Sequence, residues 1–260
     1  MHRSILLFIS FLICGTAFGQ GEQSALVKVL SASSEKNEVQ EGISETRASA
    51  LKSVGRSLGL RAGLIDESKL IVREIESAKA ELDRKFNFGS LMFSTGALPP
   101  VIEETEDVIS LMDYSFRTAG KIYRIISPVN FLGANWRNYL YLGLVTQDDQ
   151  LIDDTKKSVY PRDAKESAYW QKVVTEAYKQ GRVDGRKMFE INSKRLERDF
   201  YGMRLFYDLY ERGLVSAPQI ASATESVKRP DPNTLIIGET VFRVTAQPEF
   251  QDTSKWKTKK

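Results

Sequence analysis

Residues 163–214 read DAKESAYWQKVVTEAYKQGRVDGRKMFEINSKRLERDFYGMRLFYDLYERGL, and their apolar side chains recur mostly at spacings of three, four and seven. That period places them along one side of a helix. Asp163, with Glu166 three residues later, is typical of a capped helix start, whereas Gly213 and Pro218 mark an end. We therefore predict one long helix whose apolar stripe packs in the core rather than forming a ligand platform. The stripe consists of Trp170, Val173, Val174, Ala177, Gly181, Phe189, Leu196, Phe200, Met203, Tyr207, Tyr210 and Leu214.

A second helical pattern covers residues 44–88. Its apolar stripe consists of Ile71, Ile75, Ala78, Leu82 and Phe86. Upstream, Gly55, Gly59 and Gly63 recur every four residues. Since glycine is costly inside a helix, three on one face indicate either close packing against another backbone or a broken helix.

Two pairs of alternating segments predict β-hairpins. After the extended prolines Pro99 and Pro100, EDVISLMD (106–113) and KIYRIIS (121–127) form the first pair. The second pair, QIASATESV (219–227) and TVFRVTA (240–246), flanks the turn RPDPNT. The predicted fold class is therefore α+β, with two helical blocks packed against a small antiparallel β-sheet in a single domain.

The amino-terminal residues are typical of a secretory signal. Arg3 precedes the apolar run Ile5–Ile13, and the small residues Ala17 and Gly19 then match a signal-peptidase site. We expect residues 1–19 to be the signal, with cleavage between Gly19 and Gln20. Lipidation of Cys14 is the alternative, although the branched Ile13 before it fits a lipoprotein site poorly. Residues 20–43 are predicted to be a flexible leader and residues 251–260 a basic tail.

The predicted signal contains the chain's only histidine, His2, and its only cysteine, Cys14. A mature chain without them cannot form Ser-His-Asp or Cys-His catalytic sites, or zinc sites built on His and Cys. The formal net charge of +3 does not favour nucleic-acid binding. We therefore expect a protein that is not an enzyme and that needs no metal or cofactor.

Two groups of residues are candidates for function. The first is a carboxylate cluster that follows the prolines, and paired carboxylates can hydrolyse a glycan. A periplasmic cell-wall (peptidoglycan) hydrolase or glycan-binding factor is therefore an alternative function, although a solvated acidic face is the ordinary interpretation. The second group is Trp136, Arg137 and Tyr139, which form either a partner contact or a packed turn. The carboxylate cluster consists of Glu103, Glu104, Glu106 and Asp107.

Several segments in a fixed order carry a family resemblance. They are GLRAGLIDESKLIVREIESAKAELDRKFNFGSLMFSTGALPPVIEE (59–104), IYRIISP (122–128), WRNYL (136–140), Tyr160-Pro161 and RDFYGM (198–203). Their order resembles the DotC family of type IVB (Dot/Icm-type) secretion systems and its counterparts on conjugative plasmids. The resemblance extends over about residues 47–245, inside a predicted domain of residues 44–250.

The DotC resemblance implies a non-catalytic role. A DotC-like protein is a periplasmic, outer-membrane-associated subunit of the secretion core complex. With a DotD-like lipoprotein, it brings a DotH-like subunit to the outer membrane. The cargo of such systems is effector protein or relaxase-bound DNA, and direct nucleic-acid binding by this subunit is not expected.

Overall fold

The computed structural model describes residues 24–33, 43–112, 115–147, 151–152 and 154–256. The predicted signal, its cleavage site and Cys14 lie outside the described residues. The helices are α1 (Ala25–Leu30), α2 (Glu45–Ser77), α3 (Lys79–Lys85), α4 (Trp136–Leu140) and α5 (Ala164–Glu211). The strands are β1 (Val101–Met112), β2 (Ser115–Ser127), β3 (Gln219–Asp231) and β4 (Thr234–Ala246), and short 3₁₀ helices span Phe88–Leu91, Asp154–Val159 and Thr253–Lys255.

The predicted α+β class is confirmed, with one difference in the strands. In the described part of the chain, β1 pairs only with β2, and β3 pairs only with β4, each pair antiparallel. The strands therefore form two separate hairpins instead of one small sheet. The first hairpin packs by its base, at Val101 and Ile102, against α5, which bears Gly202 at the contact.

Helix α5 begins and ends where the sequence predicts. The Asp163 carboxylate accepts a hydrogen bond of 2.8 Å from the backbone N–H of Glu166 and so caps the first turn. The helix ends at Glu211, and Gly213 follows with a φ of +72°. A residue in this left-handed conformation reverses the chain at little cost only if it is glycine.

The long helices α2 and α5 form the centre of the molecule and run parallel to each other. Trp170 lies against Gly55 near the start of both helices. Further along both helices, the Arg186 guanidinium donates to Glu74 at 2.7 Å. A parallel pair requires the chain to return from the end of α2 to the start of α5, and residues 78–163 make that return.

Glycines allow α2 and α5 to approach at the backbone. A Cβ atom added to Gly59 would lie 2.6 Å from the Val174 carbonyl oxygen, and one on Gly63 would lie 2.2 Å from that of Tyr178. On the facing helix, a Cβ on Gly181 would lie 2.1 Å from the Leu60 oxygen. Because α2 is continuous from Glu45 to Ser77, close packing is the correct one of the two predicted alternatives.

Buried apolar side chains form three clusters, two of which contain residues of both α2 and α5, whereas the third contains residues of α5 but not of α2. The predicted core residues Phe200 and Met203 are 5% and 3% exposed, and the half-buried Tyr207 packs beside them. Their burial confirms this part of the α5 stripe as core, whereas Tyr210, predicted in the same stripe, is 44% exposed. The central cluster is built from Ile71, Ile75, Phe86, Phe88, Leu91, Leu98, Val101, Trp136, Leu140, Leu196, Phe200 and Met203.

Part of the predicted flexible leader is ordered against the helix pair. Residues 25–30 form α1, in which Ala25 and Val29 are fully buried. The Trp170 indole N–H donates to the Val29 carbonyl oxygen at 3.0 Å. Ala25 and Val29 are four residues apart and so share one face of α1, and this face packs although the segment is polar overall.

Among the described helices, none combines the length and the apolar composition that a membrane span requires.

Candidate interaction site around α4

Trp136, one of the predicted contact residues, lies inside the molecule. It is 1% exposed, and its indole N–H donates to the Asp83 carboxylate at 2.8 Å. The Arg137 guanidinium lies 4.0 Å from the Trp136 ring centroid and donates to the same carboxylate at 3.0 Å. Asn135 starts α4 by accepting from the Arg137 N–H at 3.0 Å. Through Asp83, which belongs to α3, these contacts hold α4 against α3.

The electrostatics of this cluster favour an ionised Asp83. Hydrogen bonds from Trp136 and then from Arg137 hold the pKa of Asp83 below its ordinary value. Because the Trp136 ring is buried and its indole N–H is bonded to Asp83, this side chain packs within the molecule itself. Arg137 and Tyr139 remain partly exposed, so a partner contact at these two residues stays a prediction.

Tyr139 is held by a buried carboxylate on α5. Its hydroxyl donates to Asp199 at 3.1 Å, and Arg198 donates to the other carboxylate oxygen at 2.7 Å. Burial, and then the nearby Asp199 charge, raise the pKa of Tyr139 to about 12. The phenol therefore stays protonated at neutral pH and acts as a hydrogen-bond donor.

A cavity of about 310 Å³ opens beside Tyr139, between α4, α5 and the segment after β2. Leu132 and Leu142 at its mouth are 79% and 53% exposed. Such a mixture of apolar wall and hydrogen-bonding groups can accept a side chain from another protein. The polar and apolar lining includes Leu98, Met203, Tyr139, Asn192, Arg195 and Asp199.

The structure does not bring the predicted carboxylate cluster to a common cleft. Glu103 and Glu104 are neighbours on β1 and so point to opposite faces of the hairpin. Glu104 pairs with Lys121 across the strands, and Glu106 lies 2.9 Å from the same ammonium. The hydrogen bonds that the Lys121 ammonium donates to Glu104 and then to Glu106 raise the pKa of Lys121 above its ordinary value. Here these carboxylates make a cross-strand charge network, and the side chain of Asp107 lies outside the described part.

Two buried carboxylates form ion pairs between the long helices, a role that the sequence did not indicate for either of them. Glu67 is 3% exposed and accepts from Arg182 and Arg186, each at 2.8 Å. It follows Gly63 by four residues, and this continuation of the glycine spacing is the signal that could have identified it. Glu166 accepts two hydrogen bonds of 2.9 Å from Arg47, and these lower the pKa of Glu166. Both ion pairs join α2 to α5.

In the part of the chain that the structure describes, no three or more His, Cys, Asp or Glu side chains are grouped so that they could hold a metal ion.

Comparison with known proteins finds a match to a family model. A family model described as "Type IV secretory system, conjugal DNA-protein transfer" matches residues 45–258. This range starts at the first residue of α2 and extends past β4, so it includes the helix pair and both hairpins. A search of curated proteins finds no match to the chain.

Proposed function

We propose that this chain is a non-catalytic structural subunit of a conjugation machine. The premise is its family, because the chain belongs to the type IV secretory system family of conjugal DNA-protein transfer. The observation that carries this proposal is the length of the family match, residues 45–258, which covers nearly all of the folded body. A shared body of this extent supports a shared place in the transfer system.

The non-catalytic part of the proposal is supported by how the carboxylates are used. Glu67 and Glu166 are buried and paired with arginines between α2 and α5. Groups held in this way stabilise a fixed arrangement of helices, whereas a catalytic carboxylate must reach a substrate.

The finer proposal is a DotC-like role at the outer membrane. In this role, the periplasmic protein acts with a DotD-like lipoprotein to place a DotH-like subunit at the outer membrane. Two of the segments that carry the DotC resemblance, around Trp136 and Phe200, lie in the central core. The resemblance therefore rests on residues that determine the fold, which supports a common architecture.

Deletion of the gene tests this function. The DotH-like subunit should leave the outer-membrane fraction, and conjugal transfer should be lost. A plasmid copy of the wild-type gene should restore both. Transfer at the parental frequency without the protein would refute the structural role, and lost transfer with the DotH-like subunit still in the outer-membrane fraction would refute its role in that placement.

A further inference from the structure

The outer edge of β4 is an unpaired strand edge. In the described part of the chain, β4 pairs only with β3, in a sheet of two strands. Each strand of this hairpin has 13 residues, and every residue from Ala221 to Leu235 is exposed. Two strands alone are marginally stable in water, and the free N–H and C=O groups of an edge can pair with another strand. The hairpin therefore offers its edges for pairing with a further chain.

The two edges of the hairpin differ in how well they are protected from such pairing. β3 carries Lys228, Arg229 and Pro230 in succession, and its register with β4 shifts at this point. Lysine, proline and an irregular register are features that protect an edge strand. β4 contains neither lysine nor proline, and its pairing with β3 is regular from Ile236 to Val244. The edge of β4 is therefore the one that is open to a further strand.

The charges of β4 are self-complementary. Glu239 and Arg243 are its only charged residues, and they lie symmetrically about Val241. Opposite residues in an antiparallel pair point to the same face, so odd-numbered residues of one β4 strand oppose only odd-numbered residues of a second. A two-fold axis at Val241 places Glu239 opposite Arg243 of the second copy, and does so twice. An axis at Glu239 or at Arg243 places like charges opposite each other, which is unfavourable. No other axis pairs both charged residues of β4 with opposite charges.

The charge pattern also distinguishes a second copy from a different chain. Within its own hairpin, Glu239 lies opposite Glu225, and the two carboxylates share the Lys228 ammonium at 3.4 Å and 3.8 Å. Arg243 lies opposite Ala221 and is exposed, and among the described residues no carboxylate forms an ion pair with it. A different chain would need both charges at the same spacing, whereas a second copy carries them in its own β4.

We propose that two copies of this chain associate through β4, antiparallel and about a two-fold axis at Val241. The product is a continuous sheet of four strands in the order β3–β4–β4–β3. Each β4 strand then has a hydrogen-bonded neighbour on both sides, which removes the open edge. The same residues of both copies form the contact, so the dimer is closed and symmetric. This association is independent of the function in conjugal transfer.

Disulfide crosslinking tests the strand pairing. The full chain carries Cys14→Ser, so that an introduced cysteine is the only one. Opposite residues in an antiparallel pair have Cα atoms about 4.5–5.5 Å apart, which a disulfide can span. Val241→Cys should therefore give a covalent dimer under mild oxidation.

The matched control for this crosslink is Ala223→Cys. Ala223 is the register partner of Val241 on β3 and is also exposed, but three strand spacings of about 4.8 Å would separate it from its copy. It should give little covalent dimer. No dimer through position 241, or equal dimer through both positions, would overturn the proposal.

Charge reversal tests the register. Glu239→Arg or Arg243→Glu alone places like charges opposite each other at both ends of the pairing. Each variant should self-associate at least tenfold more weakly than wild type in sedimentation equilibrium and keep the wild-type circular dichroism spectrum. A mixture of the two variants should form a heterodimer at wild-type strength, because one copy then contributes two guanidinium groups and the other two carboxylates.

The mixture separates charge pairing from damage to the hairpin, since damaged hairpins would not rescue each other. A wild-type protein that stays monomeric up to millimolar concentration would overturn the proposal. So would single variants that self-associate as strongly as wild type, or a mixture that stays monomeric. Because every measurement uses the purified chain, none of these outcomes depends on conjugal transfer, and a failure of the proposed function remains distinguishable.

Discussion

Replacement of Gly181 by alanine tests whether backbone contact between α2 and α5 holds the molecule together. A Cβ at this position would lie 2.1 Å from the Leu60 carbonyl oxygen, 2.9 Å from its carbonyl carbon and 3.0 Å from its Cα. All three neighbours are backbone atoms, so no side chain can rotate away. The added methyl group must push the two helices apart.

The expected change in the free energy of unfolding is the difference between two opposing effects. Overpacking of a core typically costs about 1–3 kcal/mol, and a clash with backbone on a central helix belongs at the upper end. Alanine is favoured over glycine inside a helix by about 1 kcal/mol. We therefore expect Gly181→Ala to lower the free energy of unfolding by about 2 kcal/mol. For a domain of this size, that is a fall of about 4–8 °C in melting temperature.

The matched control is Gly185→Ala, one turn further along the same helix. A Cβ there would lie 3.2 Å from Leu64 Cδ1 and 3.3 Å from the Cβ and Cγ of Glu67, so these neighbours would have to shift by only a few tenths of an ångström. The helix-propensity term should then offset the small repacking cost and leave stability within about 1 kcal/mol of the parent. Thermal and denaturant unfolding followed by circular dichroism measures both variants. A Gly181→Ala protein that melts at or above the parental temperature would refute backbone contact as the reason for the glycine.

Four further predictions follow from the core, the ion pairs and the sequence. Phe200→Ala should destabilise the protein by about 3–5 kcal/mol in denaturant unfolding, because it leaves a cavity in the central cluster; an unchanged midpoint would contradict this. Glu166→Gln should lower the free energy of unfolding at pH 7. Because the folded-state pKa of Glu166 is lowered from its ordinary 4.5, the difference from wild type should begin to shrink below pH 4.5 and be lost as the pH falls through the lower folded-state pKa; a difference independent of pH would contradict the assignment. Glu103→Gln should leave conjugal transfer and melting temperature unchanged, whereas loss of transfer by a folded variant would favour the hydrolase. Intact-mass measurement should give a mature chain that starts near Gln20 without an acyl group, and a lipid on Cys14 would contradict this.

Local signals in the sequence predicted both ends of α5 and the buried faces of the long helices, but the helical pattern over residues 44–88 did not show that α2 ends at Ser77. The Asp163 cap and the Gly213 stop are short-range effects, since both act within one or two turns of the chain. The stripe that contains Phe200 identified the core because a helix buries one face. The direction of α5 relative to α2 could not be predicted, because periodicity is the same for parallel and antiparallel neighbours.

The candidate site was only partly predictable for a related reason. The sequence identified Trp136 and Arg137 as notable, but their common partner Asp83 is distant in the sequence and lies in an otherwise ordinary helical pattern. The separation of the strands into two hairpins was likewise hidden, because alternation predicts strands but not which strands share a sheet. The exposure of Ile237 depends on what surrounds the hairpin, which no local pattern contains.

The parallel arrangement of α2 and α5 has a consequence for how the chain folds. Arg47 and Glu166, which join the two helices, are 119 residues apart in the sequence. The central interface therefore has high contact order, and its formation requires closure of a very long loop. Because synthesis proceeds from the amino terminus, the glycine face of α2 waits without its partner until α5 has been made. The helix pair at the centre of the body can therefore form only after α5 has been synthesised.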